Sequence, residues 1–585
     1  MKKKLSSIFF KRIDFPSFLE LRIVFRGLHV WEKVTVLILI FIMGIGTVGV
    51  WTQLQNRFAL ALPISGGSFK EGIVGIPHLV NPLLASTDVD RDLVNLLYAG
   101  LMKPDGHGEL EKNMASAVEI SQDGLSYTFT LKNDLVWHDG EPLTTRDIAF
   151  TIQAVKNPAL KSPLRANWEG VEVEVIDDKT IRFWLKRAYA PFLGNATLGI
   201  LPKHIWKDTT PEQFSLSELN RRVIGSGPYK IQRIKRNTKG IVTVYRLKAF
   251  KSYALKKPFI TRIELLFYNS EDELLTAFKK GGVDAASSLS AENVNSLREE
   301  KNIEKRLKTL TLPRIFGVFF NQNKSELLQS KKIREALDKA VDKPRLVEEV
   351  LGGYGVTLDD PIPPDIVEYA PPFQLTSFNL ASAEAILENA GWKINDETKI
   401  REKKEKKKGS VELQFSLSTA NTPELVAVAQ RLRTMWQTLG VKTDIRIFEI
   451  GDLNQNVIRP REYEALLFGE VIGLDPDLFA FWHSSQMNDP GLNIALYANK
   501  NVDKLLEEAR TITDRAKRKN KYVEFLKEIR QDVPAVFLYS PHYLYIAPPS
   551  LKGFDTEIIT IPGERFANVH RWHMYTERVW KIFVK

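Results

Sequence analysis

The chain has 585 residues, 44% of them hydrophobic and 26% charged, no cysteine, and a formal charge of +11. That size calls for several lobes with large cores, and the missing cysteine excludes disulfides, thiolate metal sites, cysteine nucleophiles and a lipid-bearing cysteine. Nine of 82 Lys/Arg but only three of 71 Asp/Glu fall in residues 1–60, so the basic excess is concentrated at the N-terminus and is no argument for a nucleic-acid partner.

Eight Lys/Arg between Lys2 and Lys33 precede Val34–Trp51, eighteen residues without a charge. The run is just long enough to cross a bilayer, and the flanking charge keeps the N-terminus cytoplasmic. The competing reading is a cleaved signal peptide with Ala59-Leu60-Ala61 as processing site. The long leader, and the distance of Ala59 from the run, favour a retained anchor. The layout is then a cytoplasmic segment 1–33, a transmembrane anchor 34–51 and a stalk 52–64, with the body extracytoplasmic. Residues 17–31 mix apolar side chains with Arg22, Arg26 and His29, which suits either an interfacial helix or a plain cytoplasmic tail.

The globular part begins near Ser65. A strand leads into Asn81-Pro82-Leu83, and a helix follows from about Asp88 to Tyr98. Asp88, Asp90 and Arg91 at its start suit a solvated first turn, where acids complement the helix dipole. Asp123-Gly124 is a turn, after which Leu125, Tyr127, Phe129 and Leu131 alternate as in a half-buried strand. Leu135-Val136-Trp137 reads as a short second strand, and His138-Asp139-Gly140-Glu141-Pro142 as another turn. Thr144 with Asp147 is a capping-box variant, so a helix is expected there with Ile148, Ile152 and Val155 on its apolar face.

The stretch Glu109–Val155, with its DG-x-x-Y-x-F-x-L strand, W-H-DG-x-P-L-T turn and R-D-I-A-F helix, resembles the extracytoplasmic solute-binding proteins of family 5, which serve peptide and nickel ABC importers. In that family the N-P-L turn and the helix after it form part of a cleft wall, which makes Asp88 a ligand-binding candidate.

Further landmarks match the same family. Leu201-Pro202-Lys203-His204 and Gly225-Ser226-Gly227-Pro228-Tyr229 are two of them. The second is no phosphate loop, since no Lys-Ser/Thr follows and Pro228 lacks a donor. Val171–Val175 and Thr180–Leu185 make a hairpin. Residues 260–286 read strand, helix, strand. Ile315–Asn321 is a nearly continuous apolar run, at which the family's chain crosses to its second lobe, so Asn321 is a second candidate. Helices follow at Lys332–Val341 and Lys343–Val350, stopped by Gly352. Pro361–Pro372 is irregular. The basic tract within Lys393–Gly409 has no aromatic interleaving and reads as a loop. Val411–Leu417 is a strand, a helix runs from Thr422 to Gly440, and Val441–Ile447 is a strand. Lys504–Ala509 and Arg515–Val533 are helices, and Val536–Tyr539 and His542–Ile546 two strands.

Residues Tyr463–Ser485 are the ones expected to touch ligand. In peptide-binding relatives a strand ending in Gly and an acid lines the cleft before a D-P-D turn, and an acid meets the ligand's ammonium. Here that implies Phe468, Gly469 and Glu470, with Ile472 where the family's Asp would stand. Asp475-Pro476-Asp477 suits a turn, and Trp482 is either a ligand platform or core.

No HExxH, GxSxG or P-loop occurs, and His570 with His573 has no carboxylate close by in sequence. The resemblance therefore implies a binder and not an enzyme, with no cofactor and no metal. It implies an α/β, two-lobed periplasmic-binding-protein-like fold of the large peptide-binding subtype, with an N-terminal transmembrane helix. Lobe I would hold residues 65–312 and 544–585, and lobe II residues 313–543. The expected function is delivery of peptides to ABC permease and ATPase subunits. A nickel chelate, an oligosaccharide or heme on the same fold, a sensor acting through residues 34–51, and a secreted hydrolase are the alternatives.

Overall fold

The structure, a computed structural model, describes residues 17–298, 303–363, 376–405, 409–473 and 475–580. The start of the cytoplasmic segment, most of the Pro-rich stretch, part of the basic tract and Leu474 lie outside them. The chain divides into a small unit, residues 1–64 with 575–585, and a large one, residues 65–574.

The small unit begins with α1 (Phe18–Gly27) and α2 (Val30–Phe58). Residues Val30–Gln53 are long and apolar enough to cross a membrane. The helix continues to Phe58 and gives way directly to strand β1 (Ala59–Ile64), so the expected stalk is ordered structure.

The large unit is organised on a twelve-stranded sheet. Its strands are β2 (Ser68–Val74), β3 (Tyr229–Arg236), β4 (Val242–Ala249), β5 (Arg262–Tyr268), β6 (Ala285–Ser287), β7 (Leu307–Thr311), β8 (Arg314–Phe320), β9 (Gln414–Ala420), β10 (Lys442–Phe448), β11 (Ala465–Val471) and β12 (Ala535–Ile546). The order is β10-β9-β11-β8-β12-β6-β2-β5-β4-β3, with β7 and Gly355–Thr357 also paired to β12. Strand β12 is one strand where the sequence suggests two. It pairs with β8 through Ala535–Tyr539 and with β7 through His542–Ile546. Pro541 falls at the change of partner, where a missing N–H costs little.

A separate four-stranded sheet contains Ala115–Ile120, Ser126–Leu131, Val171–Val175 and Thr180–Leu185. The expected hairpin is present, with Val171 opposite Leu185. The expected strand Leu135–Trp137 is only a single bridge between Val136 and Pro142. Turns with positive φ at Asp134 and Gly140 leave too few residues for a ladder.

The helices used below are α3 (Asp88–Leu97), α4 (Thr145–Lys156), α5 (Pro423–Thr438), α6 (Lys500–Thr511) and α7 (Arg515–Asp532). Helix α4 opens with the expected reciprocal capping box of Thr144 and Asp147. The Gly225–Tyr229 turn abuts the end of α3: a Cβ on Gly225 would lie 1.9 Å from the Leu97 carbonyl oxygen, and Gly227 donates to that same carbonyl at 2.9 Å. Close packing, not phosphate binding, requires those glycines.

One apolar core gathers Phe69, Leu93, Trp137, Leu312 and Tyr543, a second gathers Ile315, Phe319, Trp436 and Tyr539, and a smaller third sits around Leu274 and Ile546. The first encloses an ion cluster: fully buried Arg565 bridges Glu71 at 2.6 Å and Asp92 at 2.6 Å. Burial raises the Asp92 carboxyl to about 6 despite that guanidinium.

The last strand, β13 (Tyr575–Trp580), belongs to the small unit and pairs antiparallel with β1, Ala59 opposite Trp580 and Ile64 opposite Tyr575. The Trp51 and Trp580 rings meet edge to face at 6.0 Å.

Candidate functional site

A cavity of about 590 Å³ lies in the large unit, between the four-stranded sheet and the segment that follows β11. One wall carries Tyr127 and Tyr189 beside the four-stranded sheet. The other carries Ile472, Asp475, Asp477 and Phe481, from the segment after β11. Its size is that of a small-ligand site, about 300–1,000 Å³. A second cavity of about 330 Å³ is lined by Arg91, Asn95, Lys103 and Glu564. Met102, Thr197, Ile561 and Glu564 line both, so the two adjoin.

The Asp-Pro-Asp turn is held from behind. Arg518 of α7 reaches Asp475 at 2.9 Å, and the Tyr522 hydroxyl donates to the Pro476 carbonyl. Asp477 then faces the opposite wall. Its Oδ2 accepts from the Tyr189 hydroxyl at 3.2 Å and from Arg510 of α6 at 2.7 Å. Ala190 N–H donates to the Arg510 carbonyl at 2.9 Å, and the Arg510 guanidinium lies 5.3 Å from the Tyr189 ring centre. Nearer the rim, Arg515 pairs with Glu109 at 2.5 Å. These contacts tie the walls together across the mouth.

The polar groups of the site are partly desolvated. Burial lifts the Tyr127 hydroxyl to about 12, and burial followed by the Asp477 charge lifts Tyr189 higher. The Oδ1 atom of Asp477 is buried and has no hydrogen-bond partner among the described residues. A buried acceptor without a donor is unusual, and this one belongs to a residue that lines the cavity.

The residues expected from sequence separate into distinct environments. Asp475 lines the cavity. Glu470 does not: it is 5% exposed, opposite Ile315 in the β8–β11 ladder, and neither carboxylate oxygen has a partner among the described residues. Burial raises its pKa well above the ordinary carboxylate value. Phe468 is half-buried against the second core. Gly469 stands opposite Phe316, whose ring would lie 2.7 Å from an added Cβ and stacks on Tyr539 at 5.1 Å.

Trp482 belongs to the second core, 5.7 Å from Phe537 and 6.2 Å from Phe319, and its neighbour Phe481 lines the cavity instead. Asn321 is buried, donating to the Arg461 carbonyl at 2.9 Å and accepting from the N–H of Asn323. Asp88 pairs with Arg91 at 3.2 Å on the outer side of the first turn of α3, but the turn is not solvated throughout as expected: Asp90 is buried and accepts from the N–H groups of His78 and Leu79. The structure therefore does not gather these seven residues into one site. Tyr127, Tyr189, Phe481 and Arg510 are the additions, and Ile472 does stand on the cavity wall, at the position where the family's acid would be.

Comparison with known proteins gives a consistent result. The middle region of the bacterial extracellular solute-binding proteins, family 5, matches residues 109–490. The oligopeptide-binding protein AppA of Bacillus subtilis is 28% identical over 522 residues, covering 87% of this chain and 92% of the relative. The structure of that AppA with a nonapeptide superposes with a TM-score of 0.68 at 26% identity, over 88% of this chain and 99% of the other. NikZ of Campylobacter jejuni, in complex with Ni(L-His), gives a TM-score of 0.69 at 26% identity, over 86% and 99%.

Proposed function

Because the chain belongs to family 5 of the bacterial extracellular solute-binding proteins, we propose that its cavity holds a peptide for delivery to ABC permease and ATPase subunits, from a membrane-anchored position. At the coarser level it is an extracytoplasmic solute-binding protein of the peptide-type ABC importers, and not an enzyme.

The unpartnered Oδ1 of Asp477 carries the peptide reading. A peptide's α-ammonium or first amide N–H supplies the missing donor once the Asp477 side chain turns its enclosed Oδ1 toward the cavity, and a charged donor would gain most from the dry site. Asp477 then takes the part that sequence alone assigns to Glu470. Tyr127, Tyr189 and Phe481 offer broad rigid surfaces to side chains. The lobes are taken to divide near Leu312–Pro313 and Tyr543–Leu544; the apolar cores support the first boundary and favour a second one slightly earlier, between Tyr539 of the second core and Tyr543 of the first.

Retention of the anchor is supported by β1. Processing after Ala61 would cut this strand in the middle of its six-residue pairing with β13.

Mass spectrometry of small molecules released from the purified, denatured protein tests the ligand. A peptide is expected. A nickel chelate, a saccharide or heme recovered in its place overturns the peptide reading while leaving the family standing.

A further inference from the structure

The outward face of strands β3–β5 is assembled against its own charge. Side chains alternate across a strand. Arg246 of β4 therefore stands on this face between Arg233 of β3 and Glu264 of β5, and Lys248 stands between Lys230 and Arg262. Three of these four oppositions are like-charged, and like charges directly opposite one another weaken a sheet. Lys235 and Lys70 extend the face along β3 and into β2. The reverse face is core, with Tyr245, Leu247, Ile263 and Leu265 all buried.

Glu264, which stands between Arg246 and Lys70, is the acid set against these cations. Arg246 pairs with Glu264 at 3.1 Å. Lys230 turns its ammonium aside to the His138 carbonyl at 2.8 Å. Arg233, Lys248 and Arg262 are exposed. A hollow of about 360 Å³ opens between Arg233, Arg246, Arg262 and Glu264.

We infer that this face is a docking surface for anionic phospholipid headgroups. Three observations select lipid. The charges form a two-dimensional array at cross-strand spacing, matching a planar field of headgroups better than a single ligand. Among the described residues the aromatic ring on this face is Tyr268, at the far end of β5 and half-buried against the smaller core, so no exposed ring stands among these cations for nucleic-acid stacking. Lys70 follows the last residue of α2, Phe58, by twelve residues, a tether of at most roughly 43 Å when fully extended. Basic side chains held near an anionic bilayer are attracted within a Debye length. The inference rests on the anchored reading for the nearness of the bilayer. Its mechanical consequence is that lobe I lies against the membrane bearing the importer.

The chain has no cysteine, so Gln232→Cys offers a single labelling point beside the hollow. Full-length protein carrying an environment-sensitive dye there is reconstituted into phosphatidylcholine liposomes with and without phosphatidylglycerol. A blue shift is expected only with phosphatidylglycerol. High salt should abolish it, and inorganic phosphate should compete no better than chloride at equal ionic strength. Arg233→Glu/Arg262→Glu should remove it, as should Lys235→Glu/Lys248→Glu, with the melting point unchanged or raised because repulsion is relieved.

Equal emission in both lipids, or a shift that survives charge reversal, overturns the inference. So does a shift seen only in native membranes, which would mean a protein partner. Protein lost from the liposomes in an alkaline wash would count against the anchor alone. The soluble chain must then float with phosphatidylglycerol vesicles and lose that binding in both charge-reversed variants; failure to do so overturns the lipid surface too.

Discussion

The Ser540 hydroxyl donates to the main-chain carbonyl of Leu312 at 2.9 Å, joining β12 to the short connection between β7 and β8. Leu312 closes the run after β7, and Ser540 sits where β12 changes partner. A hinge needs such a point, at which both crossings move together.

Ser540→Ala should cost about 1 kcal/mol, the net worth of one buried hydrogen bond, because the Leu312 carbonyl keeps its bond from Arg314 N–H. The urea midpoint should fall at unchanged slope. Bound ligand should still compact the protein in small-angle scattering and raise its melting point by mass action. A ligand that does neither would show that the lobes do not close on it.

Asp477→Asn removes the charge that Tyr189 and Arg510 share. Free-amine peptides should bind about 2–3 kcal/mol more weakly, the range for a hydrogen bond to a charged group. N-acetylated peptides should lose less. Calorimetry on the four combinations of protein and peptide gives the coupling, and equal losses for both peptides would remove the ammonium from Asp477.

Glu470 predicts a pH effect. Its folded-state pKa is raised by burial, so the folded chain holds a proton that the unfolded chain releases above about 4.3. The stabilisation is complete below that value and is lost as pH rises toward the folded pKa. Glu470→Gln should flatten this decline in urea titrations above pH 5 and leave ligand affinity unchanged. A large loss of affinity would place Glu470 at the ligand after all.

Arg565→Met would leave Glu71 and Asp92 without their shared guanidinium in a site closed to water. A loss of about 3–5 kcal/mol is expected, the cost of orphaning buried charges. Glu71→Gln/Asp92→Asn added to Arg565→Met should recover part of it, since the orphaned charges are then gone. Thermal unfolding of the two variants decides the point.

An intact N-terminus is expected on membrane-extracted protein, with the body accessible only from outside. Peptide sequencing of the mature chain checks it. A start at Leu62 would mean that β13 has lost half of its partner strand.

What the sequence made legible was local or periodic. Thr144 and Asp147 cap α4 within a single turn, and the alternation around Tyr127 is a strand because nothing distant is needed to make it one. The site was legible only as a segment. Tyr189 meets Asp477 across 288 residues, and no spacing rule reports such a meeting. Glu470 and Trp482 were misplaced for a finer reason. Glu470 is one residue from Val471, which lines the cavity, and a shift of one residue reverses the face of a strand; Trp482 follows the cavity-lining Phe481 in a short helix, where one residue turns the side chain by about 100°. The continuity of β12 through Pro541 is likewise not legible, because its tolerance depends on neighbours that the local sequence does not display.

The central position of β12 has a consequence for how the protein is made. With β8 on one side and β6 on the other, it joins two half-sheets. Strand β6 ends at Ser287, and β12 does not begin until Ala535. At about 5–20 residues per second, roughly 12–50 s of synthesis separate them. Throughout that interval the edge of β6 waits unpaired, joined by that of β8 once Phe320 has been made, and each is a template for pairing with another chain. The time for which a holding chaperone must guard those edges is thus set by where in the gene a single strand is encoded.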